Sequence, residues 1–357
     1  METFNIAGKI QTVSGLIEPG ELGMTLTHEH MLIDLSSVHG PPVDPEEKTI
    51  YYSELNEKTL GMIRHHHMSN AENYRLNNIG TAVEEVMLYK NHGGGTLVDA
   101  TSEGIGRNPK GLLEISVSTG VNIIMGSGFY VQSSHPTFVN EETSRDLSQR
   151  IIEDIVAGAS GSTIKSGVIG EIGCSWPITD SERKVIEAAV IAQRVTGASI
   201  LIHPGRHEKS PTQILEIMSD LGADLTNTII GHLDRTVFEE TTLDQIGQRG
   251  CYFEWDLFGN ESSFYRLNPE INHPNDGTKV DRISWLISQG FEEKILISQD
   301  ICSRHRLLNY GGHGYFYILS HIIPLMRNKG FEEKSIENIL VNNPARALTF
   351  QEPITAT

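Results

Sequence analysis

The sequence predicts an α/β protein folded as a (β/α)₈ barrel, the fold also called a TIM barrel. Short apolar runs rich in β-branched residues recur along the chain, and stretches with helical periodicity separate most of them. Strands that are apolar throughout and alternate with helices are typical of a parallel sheet buried on both faces. Eight such runs fit a closed barrel, and the 357 residues are enough for this fold.

The eight predicted strands are residues 24–27, 96–100, 122–125, 167–171, 199–203, 228–232, 251–255 and 294–298. The clearest intervening helix is residues 181–196, where apolar side chains follow i, i+3/i+4 spacing. Thr179 and Glu182 form a capping box before this helix, and Gly197 ends it.

Three additions to the barrel are predicted. Residues 4–6 and 11–13, around Gly8, form a small N-terminal hairpin. Residues 44–74 form a long, largely helical insertion after the first strand, and residues 314–328 and 333–349 form two closing C-terminal helices. The sequence contains no fixed-period repeat, low-complexity segment or convincing linker, so we expect residues 1–357 to form a single domain.

Composition and charge limit the kinds of molecule the protein is expected to bind and the cellular compartment in which it is expected. The net charge of −18 and the lack of a basic run argue against nucleic acid and anionic membranes as partners. Three cysteines, Cys174, Cys251 and Cys302, are too few and too odd in number for a disulfide framework. With no signal peptide in residues 1–10 and no apolar run of about 20 residues, we expect a cytosolic protein.

Five of the predicted strands end in histidine or acidic residues. These candidate ligands are His28, His30, Glu171, His203, His232 and Asp300. In a (β/α)₈ barrel the catalytic groups lie at the C-terminal ends of the strands, so these side chains should converge. Imidazole and carboxylate groups bind divalent ions that act as Lewis acids, so the pattern predicts a two-metal hydrolase site.

Individual residues in this set have distinct expected roles. His28 and His30 are two apart on an extended chain and therefore point the same way. Glu171 can offer one oxygen to each ion, although a strand glutamate paired with an arginine is the structural alternative. Asp300 would bind one ion and accept a proton from the attacking water. Residues 65–67, a run of three histidines, are expected to be solvated surface.

Residues 23–30, 170–177, 202–206, 231–235 and 310–315 resemble the phosphotriesterase family of the amidohydrolase superfamily, and the resemblance covers nearly the whole chain. It implies His28, His30 and Asp300 on the more buried ion and His203 and His232 on the more exposed one, with Glu171 as the bridge. It implies two divalent ions per chain. Zinc is the first expectation, and manganese, iron and cobalt suit the same ligands.

Two departures from the family pattern limit the expected chemistry. The best-known members bridge their ions with a carbamylated lysine, whereas this chain has Glu171, so assembly should need no bicarbonate. The phosphotriesterases proper have a relay histidine after strand seven, and residues 253–257 contain none. This difference argues against organophosphate triester hydrolysis as the native role.

Three further residues are candidates for substrate binding. Arg206 and Arg235 each follow a metal-ligating histidine by three residues and can pair with a carboxylate, phosphate or sulfonate. The structural alternative is a salt bridge, such as Arg235 with Asp234. Tyr130 can orient a carbonyl or simply pack. Residues 311–314, a glycine-rich run, form either an anion site at a helix start or a plain turn.

The resemblance implies cleavage of a linear amide, N-acetyltaurine, to taurine and acetate, with other N-acetyl amino acids as further candidates. A hydroxide between the ions would attack the carbonyl, and Asp300 would pass its proton to the leaving amine. The partner is then a small anionic N-acyl substrate, and a homodimer is left open. The alternatives are a lactonase, esterase or phosphotriesterase-like hydrolase on the same centre, or a catalytically silent scaffold.

Overall fold

The computed structural model describes residues 5–65, 70–263, 265 and 267–354. Within them the strands are β1 (Ile10–Thr12), β2 (Gly15–Ile17), β3 (Met24–Glu29), β4 (Ile33–Asp34), β5 (Arg75–Leu76), β6 (Gly94–Asp99), β7 (Asn122–Ser127), β8 (Val168–Gly173), β9 (Ile200–His203), β10 (Thr228–Ile230), β11 (Tyr252–Trp255) and β12 (Ile295–Ile297). The central sheet has eight parallel strands in the order β3-β6-β7-β8-β9-β10-β11-β12. This nearly closed barrel confirms the predicted fold class.

Helices surround the sheet in the described part of the chain. They are α1 (Pro45–Tyr51), α2 (Leu60–His65), α3 (Ile79–Asn91), α4 (Pro109–Thr119), α5 (Thr137–Glu141), α6 (Ser144–Val156), α7 (Asp180–Thr196), α8 (Ser210–Asp220), α9 (Leu233–Thr236), α10 (Glu240–Gln248), α11 (Asp276–Ser288), α12 (Ile323–Asn328), α13 (Glu333–Glu337) and α14 (Asn343–Leu348). Among the described residues, none of the helices has the length and apolarity needed to cross a bilayer.

Helix α7 matches its sequence signals. Thr179 and Glu182 form the predicted capping box, and Gly197 ends the helix with a φ of 75°. The buried Glu182 carboxylate also accepts the Ser175 N–H at 2.9 Å and the Ser175 hydroxyl at 2.7 Å. The helix start is therefore tied to the loop that follows β8.

The N-terminal hairpin lies later in the chain than predicted. Strands β1 and β2 pair antiparallel with Thr12 opposite Gly15, so residues 4–6 take no part, and Phe4 lies outside the described residues. Gly8, with a φ of 81°, donates its N–H to the Phe350 carbonyl at 2.9 Å. The segment before β1 therefore pairs with the C-terminal part of the chain.

The two predicted helical additions are partly confirmed. The described residues of the insertion include the short helices α1 and α2, and the chain then continues into β5, which pairs with β4. The first C-terminal helix starts later than predicted, because Gly314 has a φ of 68° and residues 315–316 form a turn. Its first part is a π-helical segment, Ile318–Ile322. A second π-helical segment, Asn338–Asn342, joins α13 to α14.

The barrel strands are buried on both faces, as a parallel sheet requires. Side chains such as Val98 and Leu201 meet inside the barrel, where Leu348 of the last helix joins them. Their neighbours Leu97 and Ile202 pack outward in the larger core shared with the helices. The inner cluster fills the barrel interior with apolar side chains, and this leaves the C-terminal ends of the strands for polar groups.

A serine side chain links the first and last barrel strands. Ser298 Oγ accepts the His28 N–H at 3.0 Å and lies 2.8 Å from the His28 carbonyl oxygen and 2.7 Å from Glu29 Oε1. The Asp300 N–H then donates to the same His28 carbonyl at 3.1 Å. These contacts join β3 to the chain after β12 beside the candidate ligands.

We expect Ser298→Ala to lower the free energy of unfolding by about 1–3 kcal/mol, because it leaves buried backbone groups of His28 without this partner. Urea denaturation of the metal-free protein measures the loss. Ser199→Ala is the matched control, since Ser199 Oγ is buried with no hydrogen-bond partner among the described residues. An equal effect of the two substitutions would show that the Ser298 contacts do not stabilise the barrel.

Candidate active site

The six predicted ligands converge at the C-terminal end of the barrel. His28 lies in β3 and Glu171 in β8, His203 ends β9, and the others follow their strands within three residues. His232 and Asp300 have left-handed backbone conformations, with φ values of 53° and 48°. Such conformations are unfavourable for residues other than glycine and are typical of functional sites.

Three of these side chains form a candidate inner ligand set. Candidate ligand atoms of His28, His30 and Asp300 lie within 4.8 Å of one another. His30 Nε2 is 3.1 Å from Asp300 Oδ1 and 3.5 Å from Glu171 Oε1. The other ring nitrogen, His30 Nδ1, is 2.9 Å from Thr101 Oγ1, which leaves Nε2 facing the centre.

The outer ligand set lies on the other side of Glu171. His203 Nδ1 and His232 Nε2 are 2.7 Å apart, and Glu171 Oε2 is 2.8 Å from the first and 3.6 Å from the second. Glu171 Oε2 is also 3.5 Å from His28 Nε2. Burial opposes ionisation, but His203 and His28 hold the pKa of Glu171 well below its usual range. An ionised carboxylate between two imidazole-rich sets fits a pair of divalent ions.

The structure adds one carboxylate that the sequence analysis missed. Asp256 is fully buried, and its Oδ1 is 2.7 Å from His232 Nδ1 while its Oδ2 is 2.9 Å from His28 Nδ1. Oδ2 also accepts the His232 N–H at 2.8 Å. Burial alone would raise the pKa of Asp256, but the two rings lower it below its usual range. Asp256 thus turns one Nε2 of each ligand set toward the centre.

Asp256 was present in the sequence as part of a recognisable pattern. Residues 253–257 lack a histidine but carry two acids, Glu254 and Asp256, at alternate positions at the end of an apolar strand. Both are buried, and Glu254 Oε2 lies 3.5 Å from His28 Nδ1. Acidic residues in an otherwise apolar barrel strand were the signal that could have found them.

Glu29 positions the loop that carries Asp300. Its buried carboxylate accepts the N–H groups of Gln299 and Ile301 at 2.8 and 2.9 Å. Burial raises the pKa of Glu29 to about 7. Glu29, which lies between His28 and His30 in the sequence, therefore holds the backbone on both sides of Asp300.

A cavity with about 650 Å³ of empty space, part of it open to solvent, lies over the centre and includes the predicted substrate residues in its lining. The Tyr130 hydroxyl is 3.2 Å from His203 Nε2, so this side chain touches a candidate ligand. Arg235 Nη2 lies 3.1 Å from the same nitrogen. Arg206 donates from Nε to the Tyr265 hydroxyl at 2.5 Å.

The structure distinguishes between the alternatives for Arg235 and for the glycine-rich run at residues 311–314. Arg235 forms no ion pair with Asp234, because Asp234 Oδ2 accepts the Leu257 N–H at 2.7 Å and its Oδ1 has no described partner. In the glycine-rich run, the N–H of Gly311, Gly312 and Gly314 donates to backbone carbonyls. Of the two alternatives for that run, these contacts favour the plain turn.

Of the histidine run in the insertion, His65 is described, and it is not part of the lining of the cavity over the candidate ligands. His65 is exposed at the end of α2, as predicted. His66 and His67 lie outside the described residues.

The sequence model of the phosphotriesterase family matches residues 8–348. The chain belongs to the phosphotriesterase family. It is 43% identical over 348 residues to the N-acetyltaurine hydrolase of Mus musculus. The alignment covers 97% of this chain and 99% of that protein. Membership of this family, together with the similarity to this hydrolase, shows that the chain is a metal-dependent hydrolase.

Solved structures of the phosphotriesterase type have the same fold. A resiniferatoxin-binding protein from Rhodobacter sphaeroides superposes with a TM-score of 0.92 at 32% identity, over 98% of this chain and 97% of that chain. The phosphotriesterase homology protein from Escherichia coli, complexed with phosphate in its active site, superposes with a TM-score of 0.74 at 25% identity. That match covers 91% of this chain and 98% of the other.

We expect Asp256→Asn to weaken metal binding by this phosphotriesterase-family protein about 10- to 100-fold, because the neutral amide orients His28 and His232 less well. Competition for zinc against a coloured chelator measures the affinity. Asp234→Asn is the matched control: Asp234 is buried in α9, which follows the neighbouring strand β10, and burial raises its pKa to about 7. Equal affinities for the Asp256 variant and the parent would show that this carboxylate does not support the ligands.

Proposed function

We propose that the chain is a binuclear metal-dependent amidohydrolase that cleaves N-acetyltaurine to taurine and acetate. The observation that carries the proposal is the convergence of two ligand sets on the Glu171 carboxylate. The 43% identity to an N-acetyltaurine hydrolase over nearly the whole of both chains supports the choice of substrate. Other N-acetyl amino acids are further candidates.

The donor set suits two ions per chain. His28, His30 and Asp300 would hold the inner ion, His203 and His232 the outer one, and Glu171 would contact both. Zinc is the first choice, with manganese, iron and cobalt as alternatives because imidazole and carboxylate accept all of them. Such ions supply Lewis acidity and make a nucleophilic water available at neutral pH.

Asp300 would move the proton that the reaction requires. Its Oδ1 is near His30 Nε2 at 3.1 Å, and 16% of its side chain remains exposed toward the cavity. When water adds to the carbonyl carbon of the acetyl group, Asp300 accepts one proton from that water. It then gives the proton to the amide nitrogen as the C–N bond breaks, because an alkyl amide anion is a very poor leaving group.

The residues around the outer ligand set orient the amide and favour an anionic substrate. The Tyr130 hydroxyl and the Arg235 guanidinium both lie beside His203, where they can donate hydrogen bonds to a bound carbonyl. The guanidinium groups in the cavity lining give it local positive charge in a chain of net charge −18. A small anionic N-acyl compound complements that charge.

Zinc- or manganese-loaded protein is expected to release taurine from N-acetyltaurine, and Glu171→Ala should lower the rate by more than about 100-fold. That figure is the upper end for residues that only support metal ligands, and Glu171 is proposed as a ligand itself. Amine release and metal content per chain are measured together. Release by the variant at the parental rate would exclude Glu171 from the centre. A parent that binds two ions without releasing amine would exclude this substrate.

Asp300→Asn separates amide chemistry from lactone or ester chemistry. An amide needs a proton on its leaving group and an activated ester does not, so we expect a loss at least about 10-fold larger for N-acetyltaurine than for 4-nitrophenyl acetate. Rates for both substrates are compared at equal metal content. Equal losses would show that Asp300 acts as a ligand alone and would contradict its proton-transfer role.

A further inference from the structure

Arg306 is a buried cation in the wall of the active-site cavity. It lies in the chain after β12, six residues beyond Asp300, and only 6% of it is exposed. Its Nη2 donates to the Phe258 carbonyl at 2.7 Å and to the Gln299 carbonyl at 3.2 Å. These two contacts fix the plane of the guanidinium group.

The remaining donors of Arg306 are unused within the described part of the chain. Its Nε is buried and has no hydrogen-bond partner there, and no described carboxylate lies within 4 Å of the guanidinium. Two other buried cations have carboxylate partners: Arg107 lies 2.5 Å from Asp154, and Lys279 lies 2.8 Å from Asp276. The buried Arg235 instead bonds the Thr236 hydroxyl and the Pro204 carbonyl. Leaving a charge buried and unpaired is costly, so Arg306 is prepared for an anion that the described chain does not supply.

Arg306 also lies where two cavities meet. It lines the cavity over the ligands and a neighbouring cavity with about 630 Å³ of empty space, part of it open to solvent. The second cavity is lined in addition by Arg64 and His313, with Glu261 as its acidic side chain. Glu261 Oε1 already accepts the Asp276 N–H at 2.7 Å. The junction therefore offers space for a group extending from a substrate held at the ligands.

We propose that Arg306 binds the acidic group of the substrate, a sulfonate or carboxylate, while the amide lies over the candidate metal ligands. This inference rests on the proposed amidohydrolase function and adds the residue that selects an anionic amide. A guanidinium held by two carbonyls makes charge-assisted hydrogen bonds without losing much side-chain freedom. Arg306 is thus a specificity-determining residue.

The other two cavity arginines are less suited to this role. Arg235 already donates to Thr236 Oγ1 at 3.0 Å and to the Pro204 carbonyl at 3.3 Å, and it contacts the His203 ring. Arg206 is partly exposed, so water can solvate its free donors, and its Nε is used by Tyr265. Arg306 combines burial, a fixed plane and an unpartnered Nε.

The test compares N-acetyltaurine with N-acetylethanolamine, a neutral amide that has a hydroxyl in place of the sulfonate. For zinc-loaded Arg306→Gln we expect kcat/KM on N-acetyltaurine to fall about 10- to 100-fold, mainly through KM. On the neutral amide the change should stay within about threefold. Arg327→Gln is the control, since this exposed arginine pairs with Glu333 on the surface and its loss changes the net charge equally.

A structural role for Arg306 would give a different pattern. Its contact with the Gln299 carbonyl lies next to Asp300, so a displaced loop would lower the rates on both amides equally and overturn the inference. A selective loss in Arg206→Gln with none in Arg306→Gln would also overturn it. If Arg306→Gln does not fold, Arg306→Lys decides, with a smaller but still selective loss expected.

Failure of the proposed function can be recognised separately. If the metal-loaded parent cleaves neither amide, the hydrolytic assignment to these substrates fails. Calorimetric titration of N-acetyltaurine into the parent and Arg306→Lys then tests Arg306 by itself. A weaker affinity of the variant supports the anion site, and equal affinities overturn it.

Discussion

One buried carboxylate orients a histidine in each of the two candidate ligand sets. Asp256, at the end of β11, contacts Nδ1 of both His28 and His232, which come from different strands of the barrel. Because each ring has only two nitrogens, fixing Nδ1 determines where Nε2 points. The ligand geometry therefore depends on a side chain that lies behind the ligands, within the barrel.

The contacts that close the barrel also position the candidate ligands in this protein. Ser298 bonds the backbone of His28, and Glu29 bonds the N–H groups on both sides of Asp300. The contacts that hold the last strand against the first are thus the contacts that place Asp300 beside His30. A change in these contacts would move a candidate ligand. The buried polar side chains at this end of the barrel form hydrogen bonds that keep the strands, and therefore the candidate ligands, in one arrangement.

The distribution of charge agrees with a small anionic substrate. The chain carries a net charge of −18, yet three arginines contribute to the lining of the cavity over the ligands. Arg235 is occupied by its neighbours, Arg206 is bonded to a tyrosine hydroxyl, and Arg306 is held by two carbonyls with donors to spare. Local positive charge in an acidic protein concentrates anions where the reaction takes place.

Local patterns in the sequence were sufficient for the fold and for the six candidate ligands. Apolar strands alternating with periodic helices determine a parallel barrel, because both faces of such a sheet must be buried. His28, Glu171 and Asp300 could be selected since strand ends in this fold meet at one edge. The capping box of α7 was equally readable, because its partners are three residues apart.

Only the tertiary structure decided the contacts between residues distant in the chain. The apolar strand before Asp256 marks this acid as unusual, but only the fold shows that it contacts His28. Arg306 looks like any loop arginine until its burial is known. The same reason explains the hairpin error, since Gly8 pairs with Phe350 at the far end of the chain. Sequence periodicity reports which face of an element is buried, but partners across the barrel depend on how the elements pack.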